Sequence, residues 1–442
     1  MNEQITAADL NAEQHLMVGG VDTLALAQQY QTPLYVYDTG EIRAEIKAFK
    51  QVFEANQVNY QISYASKAFA AVAMYQVIAQ EGIHCDVVSG GELYTAQQAG
   101  FPMAKVSFHG NNKSLAELTM ALDAGVGCII VDNFYELKLL SDLAAAREQL
   151  TTIMLRVAPG ISAHTHEYIS TGQEDSKFGF DLNSGQADEA VKQAQAAPFL
   201  NLVGIHCHIG SQIFELDGFK MIVDKLVSLF ARWQKELGFY PQIINVGGGF
   251  GVKYTSEDQP LLPTEFVDAI IKETIAQTQA KQVPMLEIWI EPGRSLVATA
   301  GMTLYTLGAT KEIPGIRKYL SVDGGMGDNI RPALYDAKYE AVLAKNPTLA
   351  SNEVVSIAGK YCESGDMLIW NQKLPQTQPG DILAILDTGA YGYSMASNYN
   401  RNPRPAVVFC EDGRSQLVVQ RETYADLTRL DVPLVTKTEV TD

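Results

Sequence analysis

The sequence predicts an α/β protein: a (β/α)8 TIM-type barrel joined to a mainly antiparallel β-sandwich or β-barrel domain. Three observations carry this. From about residue 60 to about residue 295, short apolar β-rich runs alternate with stretches rich in Ala, Leu, Gln and Glu, and eight such units match a barrel of roughly 250 residues. Several of the runs are apolar on both faces, as strands of a parallel sheet covered by helices must be. Beyond Gly301 the β-rich runs continue, but Gly, Pro and Asp turns replace the long helical periods between them.

Taken in order, Leu34–Tyr37 precedes the barrel and is expected to add a strand to the second domain. The barrel strands are expected at Gln61–Ser66, Ile83–Val88, Lys105–Phe108, Cys128–Val131, Thr152–Val157, Leu202–Ile209, Ile243–Val246 and Met285–Ile290. Helices are expected between them at Ala68–Gln80, Gly91–Ala99, Leu115–Ala124, Phe134–Leu150, Gln186–Ala197, Asp217–Leu237 and Thr264–Gln279. Gly82, Gly100, Gly125 and Gly238 close several of these helices, as left-handed stops do. A doubly wound sheet is disfavoured, because no Gly-x-Gly-x-x-Gly follows the first strand. The expected boundaries are 38–298 for the barrel, with 1–37 and 299–442 in the β-rich domain.

Composition excludes several classes. With 33 Lys and Arg against 51 Asp and Glu, the formal charge of −18 disfavours nucleic-acid binding and docking on anionic membranes. No run approaches the ~20 apolar residues of a membrane helix, and MNEQITAADL lacks the marks of a signal peptide. Five cysteines, odd in number and far apart, argue against a disulfide framework and fit a reducing cytoplasm.

Active sites of such barrels lie at the carboxyl ends of the strands. Those ends read Lys67, Asp86, His109, Asp132, Arg156, His208, the Gly247-Gly248-Gly249 run, then Glu291 with Arg294. A lysine here can form a Schiff base with a carbonyl. A triple glycine lets backbone N–H groups converge on a phosphate, and Ser211 adds a hydroxyl. A buried carboxylate pairs with a protonated ring nitrogen, and His208 can lie flat on the same ring. Together they describe a site for pyridoxal 5′-phosphate (PLP). The competing reading is a metal-dependent hydrolase, since His206/His208 and His164/His166 are H-x-H pairs. Barrel metallohydrolases carry that pair on the first strand, where this chain offers Lys67, so no resident metal is expected. A PLP-binding protein without turnover is disfavoured by the large second domain.

Longer motifs sharpen this. They are Tyr64-Ala65-Ser66-Lys67-Ala68, Ser89-Gly90-Gly91-Glu92-Leu93, Phe108-His109-Gly110-Asn111-Asn112-Lys113, His164 to Tyr168 and Asp175 to Gly179. They continue through His206 to Gln212, Gly247 to Gly249, Glu291-Pro292-Gly293-Arg294, Arg331 to Tyr335, Cys362-Glu363-Ser364-Gly365-Asp366 and Gly389-Ala390-Tyr391. In order and spacing the chain resembles the fold-type III PLP-dependent decarboxylases, and among them the diaminopimelate decarboxylase family, over nearly its whole length.

The resemblance implies decarboxylation of meso-2,6-diaminopimelate to L-lysine and CO2, the last step of lysine biosynthesis. It implies that Lys67 carries the cofactor, His208 stacks on its ring and Glu291 bonds its ring nitrogen. Ser211, Gly247, Gly248, Gly249, Pro292, Gly293, Arg294 and Tyr391 surround the phosphate, with Asp86 and Arg156 completing the cofactor set. Arg294, Arg331 and Tyr335 are the expected residues for the distal carboxylate, Glu363 the one for the distal ammonium, Tyr391 a further substrate-binding residue, and Cys362 the proton donor. A head-to-tail homodimer with shared sites is implied as well. Ser66, Phe69 and Asp336 depart from the usual pattern, Gly being common in place of Asp336. The alternative within the fold is a decarboxylase of ornithine, arginine or carboxynorspermidine. Segment 159–180 is the candidate for a closing loop.

Overall fold

A computed structural model describes residues 5–161 and 176–434. The chain divides into two compact units. Residues 38–302 with 386–394 form the first, and residues 1–37, 303–385 and 395–442 the second. The stretch 386–394 thus joins the barrel unit, where the sequence placed it in the β-rich part.

In the first unit eight strands run parallel and close on themselves. They are β1 (Tyr60–Ala65), β2 (His84–Val87), β3 (Val106–Phe108), β4 (Cys128–Val131), β5 (Thr151–Ala158), β6 (Leu200–His206), β7 (Ile243–Asn245) and β8 (Glu287–Ile290). Each pairs with the next, and Ile288, Trp289 and Ile290 of β8 pair with Tyr60, Gln61 and Ile62 of β1.

The surrounding helices are α1 (Thr39–Ala55), α2 (Val72–Gln80), α3 (Gly90–Gln98), α4 (Leu115–Ala124), α5 (Phe134–Ala146), α6 (Gln186–Ala196), α7 (Asp217–Glu236) and α8 (Pro263–Lys281). Local chemistry explains their starts. Ser89, Ser114 and Asn133 each accept a backbone N–H of the first turn, and a reciprocal Ser114–Glu117 box opens α4. On α7, Phe219, Ile222, Val223, Leu226, Val227, Phe230 and Trp233 follow the helical period and are all buried.

The eighth unit departs from expectation. After β8 only the short turn Arg294–Val297 is helical. The vacant place is taken by α1, from before the first strand, which packs against α8 and joins α2 through Arg43–Glu81 at 2.6 Å. Asp38 caps α1, and Ile42, Ile46, Phe49 and Phe53 form its buried stripe. Phe49, Phe219 and Phe266 gather on Phe250, the residue after the triple glycine, at 6.0, 5.3 and 5.6 Å between ring centroids. This apolar packing anchors the loop after β7 from behind.

The second unit is one mixed nine-stranded sheet, with β9 (Gly301–Ile313), β10 (Arg317–Val322), β11 (Ala341–Leu343), β12 (Glu353–Ala358), β13 (Met367–Leu374), β14 (Ile382–Ile385), β15 (Ala406–Glu411) and β16 (Arg414–Val419). The main path runs β13-β12-β10-β9, then the N-terminal strand Leu34–Asp38, then β15-β16; β14 pairs with β9 and β11 with β14. The pairs β9–β10, β9–β14, β11–β14, β12–β13 and β15–β16 are antiparallel, whereas β10 and β12 run parallel, Tyr319 opposite Ser356. Leu34–Tyr37 joins this sheet as expected. No described helix is long and apolar enough to cross a membrane.

Candidate active site at the barrel mouth

Lys67 sits in the short turn Ser66–Ala68 directly after β1, and its side chain is exposed at the strand end. Asp86, the penultimate residue of β2, is buried and its Oδ1 accepts the Ser66 N–H at 3.2 Å, so it braces the turn that carries Lys67. Burial pushes the Asp86 carboxyl well up, and the charge of Glu291 adds to this while Lys67 opposes it. The Lys67 ammonium also acts on Glu92 and His208, so these groups share one field.

Glu291, immediately after β8, has three polar side chains gathered on its carboxylate. Asn245 at the end of β7 donates to its Oε1 at 2.7 Å. Nε2 of His206, at the end of β6, lies 3.1 Å from Oε2, and Nε2 of His109, after β3, lies 3.1 Å from Oε1. The His109 contact is close but out of line for a hydrogen bond. Burial alone would raise the Glu291 carboxyl, but the two imidazoles hold it well below the usual carboxylate range. Burial pushes His206 down to about 4 and lowers His109. The carboxylate is therefore ionised and its imidazole neighbours neutral at ordinary pH.

His208 is half-buried and its Nδ1 accepts the Gly248 N–H at 3.4 Å. Burial, then the charges of Lys67 and Arg156, press its imidazole toward the neutral form. The triple glycine differs from the expected nest of three free N–H groups. Gly247 donates to Asn245 Oδ1 at 3.0 Å and Gly248 to His208, both residues being buried, while Gly249 is more open. Absence of a side chain is required at Gly248, where a Cβ would lie 2.1 Å from the Glu291 carbonyl oxygen. Glycine here lets the loop after β7 press against the loop after β8.

That second loop delivers Arg294. Pro292 O accepts the Ala65 N–H at 3.0 Å, and a Cβ on Gly293 would meet the Ala65 Cβ at 2.8 Å, so the loop lies flat on the end of β1. The buried Arg294 guanidinium donates to Ser211 Oγ at 3.0 Å and to the Tyr254 hydroxyl at 2.5 Å. Its Cζ stands 4.9 Å from the Tyr391 ring. Tyr391 reaches the mouth although it lies nearly a hundred residues later in the chain. Its N–H donates to Ala68 O at 2.9 Å, and Gly389 admits the close pass, a Cβ there meeting Val297 O at 1.8 Å.

Arg156, on β5, has Nε 3.9 Å from Asp132 Oδ1 and its Cζ 4.2 Å from the Phe178 ring. Sequence reasoning passed over the support beneath this side of the mouth. Lys113 and Glu136 form an almost fully buried ion pair at 2.8 Å that ties the loops after β3 and β4 together. It also missed Tyr254 and Asn245; Asn245 could have been found as a polar residue ending an otherwise apolar strand. Among the described residues the set of three donors close enough for a cation is His109, His206 and Glu291, without His208. The pair His164/His166 and most of segment 159–180 lie outside the described residues.

The remaining candidates belong to the second unit. Arg331 is buried at the start of the turn Arg331–Tyr335, where its guanidinium donates to the Tyr339 hydroxyl and stands over that ring. Tyr335 is half-buried. Asp336 closes the turn with φ of 52°, which explains why Gly is common there and why Asp, tolerant of that region, can replace it. Cys362 and Glu363 are exposed, while the other four cysteines are buried.

The mouth fits PLP by its own chemistry. His109 Nε2, His206 Nδ1 and Asp132 Oδ1 are buried polar atoms with no hydrogen-bond partner among the described residues. An ionised carboxylate suits a protonated ring nitrogen, and Ser211, Arg294 and the Gly249 N–H suit a phosphate.

Comparison with known proteins agrees. The family model for the pyridoxal-dependent decarboxylase, pyridoxal binding domain, matches residues 39–298. A diaminopimelate decarboxylase of Halalkalibacterium halodurans is 57% identical, covering 98% of both chains. That of Bacillus subtilis is 55% identical over 96% of this chain and 97% of its own. The crystal structure of the M. jannaschii diaminopimelate decarboxylase with L-lysine superposes with a TM-score of 0.89 at 37% identity, covering 96% of this chain and 97% of that one. The chain belongs to the diaminopimelate decarboxylase family of pyridoxal-dependent decarboxylases.

Proposed function

We propose that this chain decarboxylates meso-2,6-diaminopimelate to L-lysine and CO2, as the last step of lysine biosynthesis, with PLP held at the barrel mouth. The observation that carries the reading is the Glu291 carboxylate, held ionised by its neighbours on the same rim as Lys67. PLP supplies the electron sink for the electron pair left behind when a carboxylate departs as CO2. Glu291 keeps a proton on the ring nitrogen, which makes that sink effective. Lys67 is the residue whose amine would hold the cofactor covalently. His208 offers its neutral imidazole face to the ring. Ser211, the Gly249 N–H and Arg294 bind the phosphate side, while Gly247, Gly248, Pro292 and Gly293 shape the backbone there. Asp86 braces the Lys67 turn and Arg156 faces the mouth from β5.

Substrate recognition requires holding a second amino-acid centre. Arg331, Tyr335 and Arg294 are assigned to the distal carboxylate, because guanidinium and phenol are strong donors to it, and Tyr391 is assigned to the substrate as well. Glu363 is assigned to the distal ammonium, and Cys362 returns a proton to the carbon that lost CO2. The exposure of the Cys362–Glu363 loop supports its reaching into a second copy of the chain, and so a homodimer with shared sites. Five cysteines, odd in number and far apart in the sequence, support a cytoplasmic location.

The test is a panel of amino acids given to the PLP-loaded protein, with products and CO2 identified. Turnover of meso-diaminopimelate should far exceed that of ornithine, arginine and carboxynorspermidine. Ornithine turnover exceeding it would refute the substrate assignment.

A further inference from the structure

The geometry points to a role for three side chains to which no function has been given: His109, His206 and Asn245 are positioning residues that clamp Glu291 as a fixed anion with one free acceptor site. This rests on the reading of Glu291 as the partner of the ring nitrogen.

A carboxylate accepts hydrogen bonds and donates none, and its two oxygens offer about four lone-pair sites. Asn245 Nδ2 takes one on Oε1 at 2.7 Å, and His206 Nε2 takes one on Oε2 at 3.1 Å. His109 Nε2 stands 3.1 Å from Oε1, poised on the second site there. One site, on Oε2, is left for a ring N–H. Because the carboxylate cannot donate, Nε2 of His206 must carry the proton, which in the neutral ring leaves Nδ1 bare, and Nδ1 has no hydrogen-bond partner among the described residues.

The imidazoles stand edge to face, 4.9 Å between centroids at 77°, so neither can swing without displacing the other. Asn245 is further fixed by accepting the Gly247 N–H at 3.0 Å, which couples the clamp to the glycine run. Neutral donors hold the anion without cancelling its charge, whereas an imidazolium would compete with the ring nitrogen for it. Burial favours that neutral state at both histidines.

The test uses the holoprotein loaded with PLP labelled with 15N in the ring, whose nitrogen shift reports protonation. Wild type and His206→Gln, which keeps an N–H donor, should show a protonated ring nitrogen. His206→Leu should show loss of that proton, with kcat lowered roughly 10- to 100-fold as for loss of a charged hydrogen bond, and KM little changed. Should His206→Leu fail to fold, His109→Leu is read the same way, since it removes a donor the free chain does not bond in line. A leucine variant that keeps both the protonated nitrogen and its kcat would overturn the clamp. Glu291→Gln separates the two ideas. If it leaves the nitrogen protonated, the reading of Glu291 itself fails; if it alone loses the proton, only the clamp fails.

Discussion

Replacing Lys113 by Met tests whether the support under the mouth acts as the structure implies. Lys113 and Glu136 side chains are each only 1% exposed. The ammonium spends its three donors on Gly110 O, Ile130 O and Glu136 Oε1, all at 2.8 Å. Burial pushes the lysine down and the glutamate up, and their mutual attraction only partly offsets this. Such a pair gains little over an uncharged substitute, but breaking it strands a charge. Lys113→Met should cost about 3–5 kcal/mol, the usual penalty for an uncompensated buried ion. Adding Glu136→Gln removes the charge and keeps an acceptor for the Asp132 N–H, which Glu136 Oε2 now bonds at 3.1 Å. Two carbonyls then remain unpaired, at about 1 kcal/mol each, so the double variant should recover about 1–3 kcal/mol of the loss. Urea titration followed by hydrogen exchange in β3 and β4 peptides reads the barrel unit directly. The single-variant penalty should shrink as pH falls, because Glu136 then takes up a proton. A single variant costing under about 1 kcal/mol, or a double variant no more stable than the single, would refute the reasoning.

Three further outcomes are expected. His206 is held at about 4 against 6.5 unfolded, so it contributes about 3 kcal/mol above pH 6.5 that is lost as pH falls toward 4. The difference in acid unfolding between wild type and His206→Gln isolates this term from the carboxylates; no difference would contradict it. In the second unit, burial raises Asp328 to about 7 from 3.8, so its charge destabilises the fold as pH rises. Asp328→Asn, which still offers an oxygen to the Gly325 N–H now bonded at 2.9 Å, should stabilise by up to about 4 kcal/mol at pH 8 and by little below pH 4, read from thermal melting. For the proposed shared-site dimer, mixing inactive Lys67→Ala and Cys362→Ala chains should restore roughly one working site per hybrid; confirmed exchange without recovery would contradict it.

How far the sequence was legible follows from where its signals lie. Barrel strands announce themselves because β4, reading CIIV, is buried at every position. Strand ends announced Lys67, Asp86, His208 and Glu291, since charged residues there have little other reason to occur. Helix α1 was not expected because it precedes the first barrel strand rather than following one, although Ile42, Ile46, Phe49 and Phe53 repeat at helical spacing. The parallel β10–β12 pair was not legible, because its register depends on the crossover through residues 323–352 rather than on local pattern. The glycine run was read as a nest from its residues and its place after the seventh strand. Only the folded chain shows that Gly247 and Gly248 spend their N–H groups on Asn245 and His208. The clamp on Glu291 was hidden for a like reason: His109, His206, Asn245 and Glu291 come from four strands and meet only when the barrel closes.

The proposed chemistry begins at one amine, that of Lys67. Borohydride reduction of the PLP-loaded protein, followed by peptide mapping, should fix the pyridoxyl group on the peptide carrying Lys67, in near-stoichiometric amount. Prior incubation with meso-diaminopimelate should divert the label from the protein to the small molecule. A pyridoxyl group on any other lysine, or none on Lys67 while PLP remains bound, would contradict the account.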